Sequence, residues 1–164
     1  MSVRVLGPDD TEAFIALRVE GIDLFPDAFM LTRAEAEQAA PGKIADWLDQ
    51  GECFGHFTGD RLTGFAAMAQ RPWATAKHRA NIGPYYVTPD QQGKSAAQAL
   101  MDAMVTQAGA LGVVQLELWV WSGNPCAIRF YTRNGFAHMG TMPRAVIVSG
   151  QDRDDFFFVR HLDR

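Results

Sequence analysis

Cysteine is scarce in this chain: two in 164 residues, Cys53 and Cys126, far apart. They make neither the paired spacing of a zinc site nor a disulfide framework, so the expectation is a protein without metal in a reducing cytoplasm. An excess of positive charge is also missing. Fifteen Lys and Arg against nineteen Asp and Glu leave a formal net charge of -4. No overall basic field favours nucleic acid or an anionic membrane surface, and neither partner is expected. Long apolar runs are absent as well. The first residues, Met1 to Leu6, give way to Gly7-Pro8-Asp9-Asp10, too little apolar sequence for a signal peptide, and no later segment reaches the length of a membrane span.

What is present reads as one globular domain over residues 1–164, with 48% hydrophobic and 21% charged residues. Val3 to Leu6 is strand-like. A helix follows from a cap at Asp10 or Thr11, carrying Phe14, Leu17 and Arg18 up to Gly21. Thr32 and Glu35 form a possible capping box, and the chain stays broadly helical to Gly51 with a break near Pro41-Gly42. Cys53 to Phe57 and Leu62 to Ala69, joined at Thr58-Gly59-Asp60, predict a hairpin. Asn81 to Val87 is a further strand, ending at Thr88-Pro89. Leu100, Met101, Met104, Val105, Ala108 and Leu111 then share one helical face, with Gly112 as the stop. Val113 to Trp121 returns as a strand, and Asn124-Pro125 opens a helix that Gly135 ends. Phe136 to Met142, Ala145 to Ser149 and Phe156 to Leu162 read as three closing strands. Hairpins first and β-α-β connections later predict an α+β (mixed α/β) domain around one sheet.

The segment Pro89 to Ala97 lies between a strand and the clearest helix. Unpaired N–H groups and the positive dipole end at a helix start suit a pyrophosphate, provided small residues allow close approach. Gly93-Lys94-Ser95 also resembles the end of a Walker A loop. That motif needs a glycine at position 88, where Thr88 stands, and the next strand ends in Trp119-Val120-Trp121 without a magnesium-binding aspartate. An ordinary polar connection is the plain alternative.

Two stretches resemble the GNAT-superfamily N-acetyltransferases. Gln92 to Ala97 follows the family's loop of Arg or Gln, two variable residues, Gly, one variable residue, then Gly or Ala, with Ser95 in place of the central glycine. Asn124 to Phe136 is similar to the Asn-x-x-Ala-x-x-x-Tyr-x-x-x-Gly-Phe signature at every fixed position. The resemblance implies a mostly antiparallel sheet of six to seven strands flanked by about four helices, with acetyl-CoA as cosubstrate. It implies transfer of an acetyl group to a primary amine of a small molecule or peptide, possible homodimerisation, and no metal. It places the cofactor at Tyr86, Val87, Gln92, Gly93, Lys94, Ser95, Ala96, Ala97, Asn124 and Tyr131.

In the direct transfer that the family uses, an amine loses a proton, an oxyanion develops and a thiolate leaves. The main chain of Tyr85-Tyr86-Val87 is the expected oxyanion contact, and the Tyr131 phenol the expected acid for the thiolate. Asn124, Ala127 and Gly135 also have capping or packing roles open to them. Many relatives carry a glutamate where this chain has Asn81, which can hold a water but not accept the proton. Glu117, His78 and His138 are the remaining candidates for the base. Trp73, Tyr85, Tyr86, Trp119 and Trp121 are candidates for an acceptor pocket, and Asp27 for a cation. A non-catalytic acyl-CoA sensor keeps the same fold and loop.

Overall fold

The computed structural model describes residues 1–162. Alternating side chains on the strands divide the interior into two layers. On β3 (Arg61–Gln70), Ala66 and Met68 belong to one buried cluster while Phe65 and Ala67 belong to the other. The first cluster is covered by α4 (Ala96–Ala110) through Leu100, Met101, Met104 and Ala108, and by α5 (Pro125–Arg133) through Tyr131. The second is covered by α1 (Thr11–Leu24) through Phe14 and Leu17, and by α3 (Pro41–Leu48) through Leu48. The predicted stripe on α4 is thus the buried one, except that Val105 is half-buried and Leu111 lies past the helix and is 44% exposed.

The sheet has seven strands in the order β1-β2-β3-β4-β5-β7-β6. The remaining strands are β1 (Ser2–Val5), β2 (Cys53–Thr58), β4 (Arg79–Val87), β5 (Gln115–Trp121), β6 (Ala137–Val148) and β7 (Gln151–His161). Every neighbouring pair is antiparallel except β4 and β5, which run parallel. The sheet is therefore mixed and mostly antiparallel, as expected. No helix among the described residues is long and apolar enough to cross a membrane.

Two local expectations are corrected. The closing strands number two, because Phe136 to Met142 and Ala145 to Ser149 merge into β6, whose register against β7 shifts between Met142 and Val146. Pro143 and Arg144 sit in that shift, and the Arg144 N–H bonds the Asp154 carboxylate at 2.9 Å instead of a ladder carbonyl. Gly21 does not end α1, which runs on to Leu24. A Cβ at Gly21 would lie 2.8 Å from the Phe29 ring and 3.1 Å from the Tyr86 ring, so this glycine allows close packing. The region from Thr32 to Gly51 is two helices, α2 (Arg33–Gln38) and α3, parted at Ala39 and Ala40, next to the break expected near Pro41-Gly42. The Thr32–Glu35 capping box opens α2 with both reciprocal bonds present.

Candidate active site

Strands β4 and β5 pair only over Arg79, Ala80 and Asn81 against Gln115, Leu116 and Glu117. Beyond that point β4 keeps its bonds to β3, and β5 keeps its bonds to β7 as far as Trp121. The two parallel strands consequently open, and one edge of β4 from Ile82 to Val87 faces the gap. Orientation along that edge follows from register. The Thr88 N–H donates to the Thr63 carbonyl at 3.0 Å, so Thr88 faces β3. Main-chain groups alternate in an antiparallel ladder, so Tyr86 also faces β3 while Val87 and Tyr85 face the gap. The Val87 carbonyl accordingly accepts from the Gln92 side-chain amide at 3.1 Å.

The segment after β4 presents donors to the same opening. Gly93 adopts φ +74, which glycine takes without the Cβ penalty, and a Cβ there would meet nothing within 4 Å. The N–H groups of Gly93, Ser95, Ala96 and Ala97 find no acceptor among the described residues, and Ser95 caps α4 without a side-chain bond. Gln92 and Lys94 differ. Their N–H groups are used within the turn, by Thr88 O at 3.1 Å and Gln91 O at 3.2 Å. The Gln92, Gly93, Lys94 and Ser95 side of the loop is exposed, while Ala96 is buried. This geometry fits a pyrophosphate: a run of unsatisfied donors, a positive helix end and little side-chain bulk.

Helix α5 forms the far wall. Asn124 is its cap, its Oδ1 accepting from the Ala127 N–H at 3.1 Å, which leaves its amide nitrogen available. Tyr131 is 8% exposed and its ring meets those of Tyr85 and Phe136 edge-on, at centroid distances of 6.3 and 5.7 Å. Its hydroxyl has no hydrogen-bond partner among the described residues, yet it is not sealed from solvent. Burial raises the Tyr131 phenol above its usual pKa, so it stays protonated. Neighbouring Tyr85 is different: its hydroxyl donates to the Ala97 carbonyl at 2.5 Å, pinning β4 to the first turn of α4. Gln98 and Asn134 exchange amide bonds of 2.8 and 3.2 Å, tying α4 to the end of α5.

On the opposite face, β4 meets α1 and the segment after it. Tyr86 points there, its hydroxyl donating to Glu20 at 2.8 Å and its ring against Phe25 and Phe29. Burial first, and the Glu20 carboxylate second, raise its pKa. With its ring on this face and its main chain toward β3, Tyr86 lies away from the opening between β4 and β5, where it was expected to contribute. A cleft of about 550 Å³ lies between α1, α3 and β4, with Asn81, Pro84 and Trp119 on its sheet side. Among the other aromatic candidates, Trp73 is 65% exposed, and Trp121 stacks under Arg153 at 5.8 Å. Asp27 pairs with Arg153 at 2.7 Å, a partner supplied by β7.

The candidates for the base separate cleanly. Glu117 is 3% exposed and held by Arg71 at 3.1 Å and by the Gln115 amide at 2.9 Å, with Arg79 Nε at 2.9 Å lacking hydrogen-bond alignment. It is a structural hub. Glu117→Gln is expected to lower stability by about 2 kcal/mol, because two partly exposed arginines lose their counter-charge. Chemical denaturation should show this with the chemical step unchanged. A large loss of turnover in a protein of normal stability would instead make Glu117 the base. His138 is exposed and stacks on Phe156 at 4.5 Å, and His78 contributes its carbonyl to Val114 and Gln115. Sequence reading placed Arg18 on the first helix with Phe14 and Leu17 but gave it no site role; it lines the cleft at 7% exposure. The available signal was a charged residue one turn after Phe14 on the buried stripe of α1.

Comparison with known proteins places this geometry. The Acetyltransferase (GNAT) family pattern matches residues 20–136. Mycothiol acetyltransferase of Brachybacterium faecium is 29% identical over 132 residues, covering 80% of this chain and 39% of that protein. The chain thus spans about two fifths of the length of the curated relatives it matches first. Among solved structures, an acetyltransferase of the GNAT family from Streptococcus pneumoniae superposes with TM-score 0.87 at 15% identity, covering 99% of both chains. The structure of yncA from Salmonella typhimurium with its cofactor acetyl-CoA gives 0.85 at 19% identity, covering 100% of this chain and 95% of that one. With more than half of its residues matched by the family pattern and both walls of the opening built from its two motifs, the chain belongs to the GNAT acetyltransferase family.

Proposed function

We propose that the protein transfers an acetyl group from acetyl-CoA to a primary amine of a small molecule or peptide. The observation that carries this reading is the opening between β4 and β5, flanked by the unsatisfied N–H groups of Gly93, Ser95, Ala96 and Ala97. Acetyl-CoA, when bound, supplies the activated acyl group and a thiolate leaving group. The loop donors hold the pyrophosphate, with the Asn124 amide on the opposite wall. The Val87 N–H donates to negative charge developing on the carbonyl oxygen. The amine reaches the carbonyl carbon from the cleft side of β4 as the C–S bond breaks. Its proton leaves through water held at Asn81, the polar side chain that β4 presents to the cleft. Tyr131 gives its phenolic proton to the departing sulfur and regains one from solvent.

Acetyl-CoA at about 100 times its Kd should stabilise the fold by about 2.7 kcal/mol, a rise in Tm of roughly 5–10 °C, whereas ATP with magnesium should give no rise. Ser95→Gly should preserve or tighten acetyl-CoA binding, since it removes a side chain beside the phosphates while Ser95 holds an ordinary helical φ of -80. Calorimetric titration of the two proteins compares them directly. A tenfold loss in the glycine variant would mean that the Ser95 hydroxyl itself binds the cofactor. For turnover, thiol release with a panel of amines, followed by mass spectrometry of the products, should give an acetyl increment dependent on the protein. Binding without turnover across that panel would favour the acyl-CoA sensor.

A further inference from the structure

Arg18 projects from the buried stripe of α1 into the cleft on the acceptor side of the sheet. A guanidinium carries five N–H donors. In Arg18 a single hydrogen bond is made, from Nη2 to the Ala36 carbonyl at 3.2 Å. Its Nε is sealed from solvent and has no partner. No carboxylate of the described residues lies within salt-bridge distance, whereas Arg4, Arg33, Arg61, Arg71, Arg144 and Arg153 each have one. The remaining support is the face of the Phe14 ring, 5.3 Å from the guanidinium carbon. Burial lowers the pKa of Arg18, and a guanidinium is basic enough to stay charged in a protein.

An arginine 7% exposed, with a buried donor unpaired and no counter-ion, is costly in a folded protein. The other surfaces of the cleft are apolar: Phe29, Ile44, Trp47 and Trp119 among them, with Asn81 the polar side chain on β4. A cleft of about 550 Å³ is the size of a small-molecule site. One guanidinium fork matches one carboxylate. A phosphate dianion would need further donors, and the nearby Ala36 carbonyl opposes a second negative charge.

Building on the acetyl-transfer reading, we propose that the acceptor is an amine that also bears a carboxylate, and that Arg18 receives that carboxylate. The apolar body of the acceptor rests among Phe29, Ile44 and Trp47, and its amine is turned toward Asn81 on β4. Arg18 is a specificity residue on this assignment. It touches the substrate at a distance from the reacting atoms and selects amino acid-like acceptors over simple amines.

The test uses the whole protein and matched ligands. Trp47 and Trp119 line the cleft, so their fluorescence reports binding there. Hexanoate and hydrocinnamate carry a carboxylate without an amine, hexylamine and phenethylamine carry the reverse, and norleucine and phenylalanine carry both. The wild type should bind the acids and amino acids at least about 10-fold more tightly than the amines. Arg18→Gln should erase that preference, and Arg18→Lys should retain part of it. In turnover, kcat/KM for the amino acids should fall roughly 10²-fold in Arg18→Gln, mainly through KM, and by far more than any change for the amines. Equal binding of acids and amines by the wild type would overturn the assignment, even if the glutamine variant failed to fold. So would an Arg18→Gln protein of normal Tm that keeps the preference for acids. Carboxylates that bind through Arg18 without acetyl-CoA binding or thiol release would instead sink the acetyl-transfer reading alone.

Discussion

Ala97→Glu should abolish acetyl-CoA binding, weakening it by at least 10²-fold, about 2.7 kcal/mol. Ala97 lies in the first turn of α4, where the N–H groups of Ala96 and Ala97 have no protein acceptor. A glutamate in that turn is favoured by the helix dipole, so the helix itself should not suffer. The new carboxylate occupies the donors and repels the phosphates across a small distance in a partly buried setting. Ala97→Gln has the same length without the charge, and separates bulk from electrostatics: its loss should be clearly smaller. Because the Ala97 carbonyl accepts from Tyr85, the Tm of each variant without ligand must be checked first. Calorimetric titration then decides. A folded glutamate variant with unchanged affinity would move the phosphates away from this loop.

Tyr131→Phe should lower kcat by roughly 10²-fold while the Kd for acetyl-CoA changes little. The variant keeps the ring and its edge-on contacts with Tyr85 and Phe136. Since the Tyr131 hydroxyl has no partner among the described residues, its removal breaks no internal hydrogen bond, and stability should hold. Burial raises the phenol above its ordinary value near 10. For a group acting as an acid, activity is present below its pKa and lost above it. The wild-type rate should therefore show no alkaline fall from Tyr131 below about pH 10. Single-turnover measurements keep chemistry in view if product release is slow. Normal single-turnover rates in a folded phenylalanine variant would return Tyr131 to a packing role.

Local chemistry was legible wherever a side chain serves its own segment. The Thr32–Glu35 box, the Asn124 cap and the stripe of Leu100, Met101 and Met104 stand in the structure as their spacing predicts. So do the loop and signature that carry the family resemblance, because a donor-rich helix start and a capped helix are made by neighbours in the chain. Roles that depend on distant partners were less legible. Glu117 had the chemistry of a base until Arg71 and Arg79 closed on it, and Asp27 was open to a cation until Arg153 met it. Adjacent Tyr85 and Tyr86 look alike in sequence, but the pleat sends one to α4 and the other to Glu20.

Sequence by itself determined most of the elements, the mixed sheet and the position of the loop proposed for the phosphates, since these follow from periodicity, caps and turn residues within short windows. Tertiary structure alone decided that β4 and β5 part after Asn81, that Val87 faces the opening, and that Arg18 stands in the cleft without a counter-ion. Strand register and charge pairing are sums over residues far apart in the chain, so no window of sequence contains them. Whether a buried arginine is satisfied depends on which carboxylates the fold brings near it.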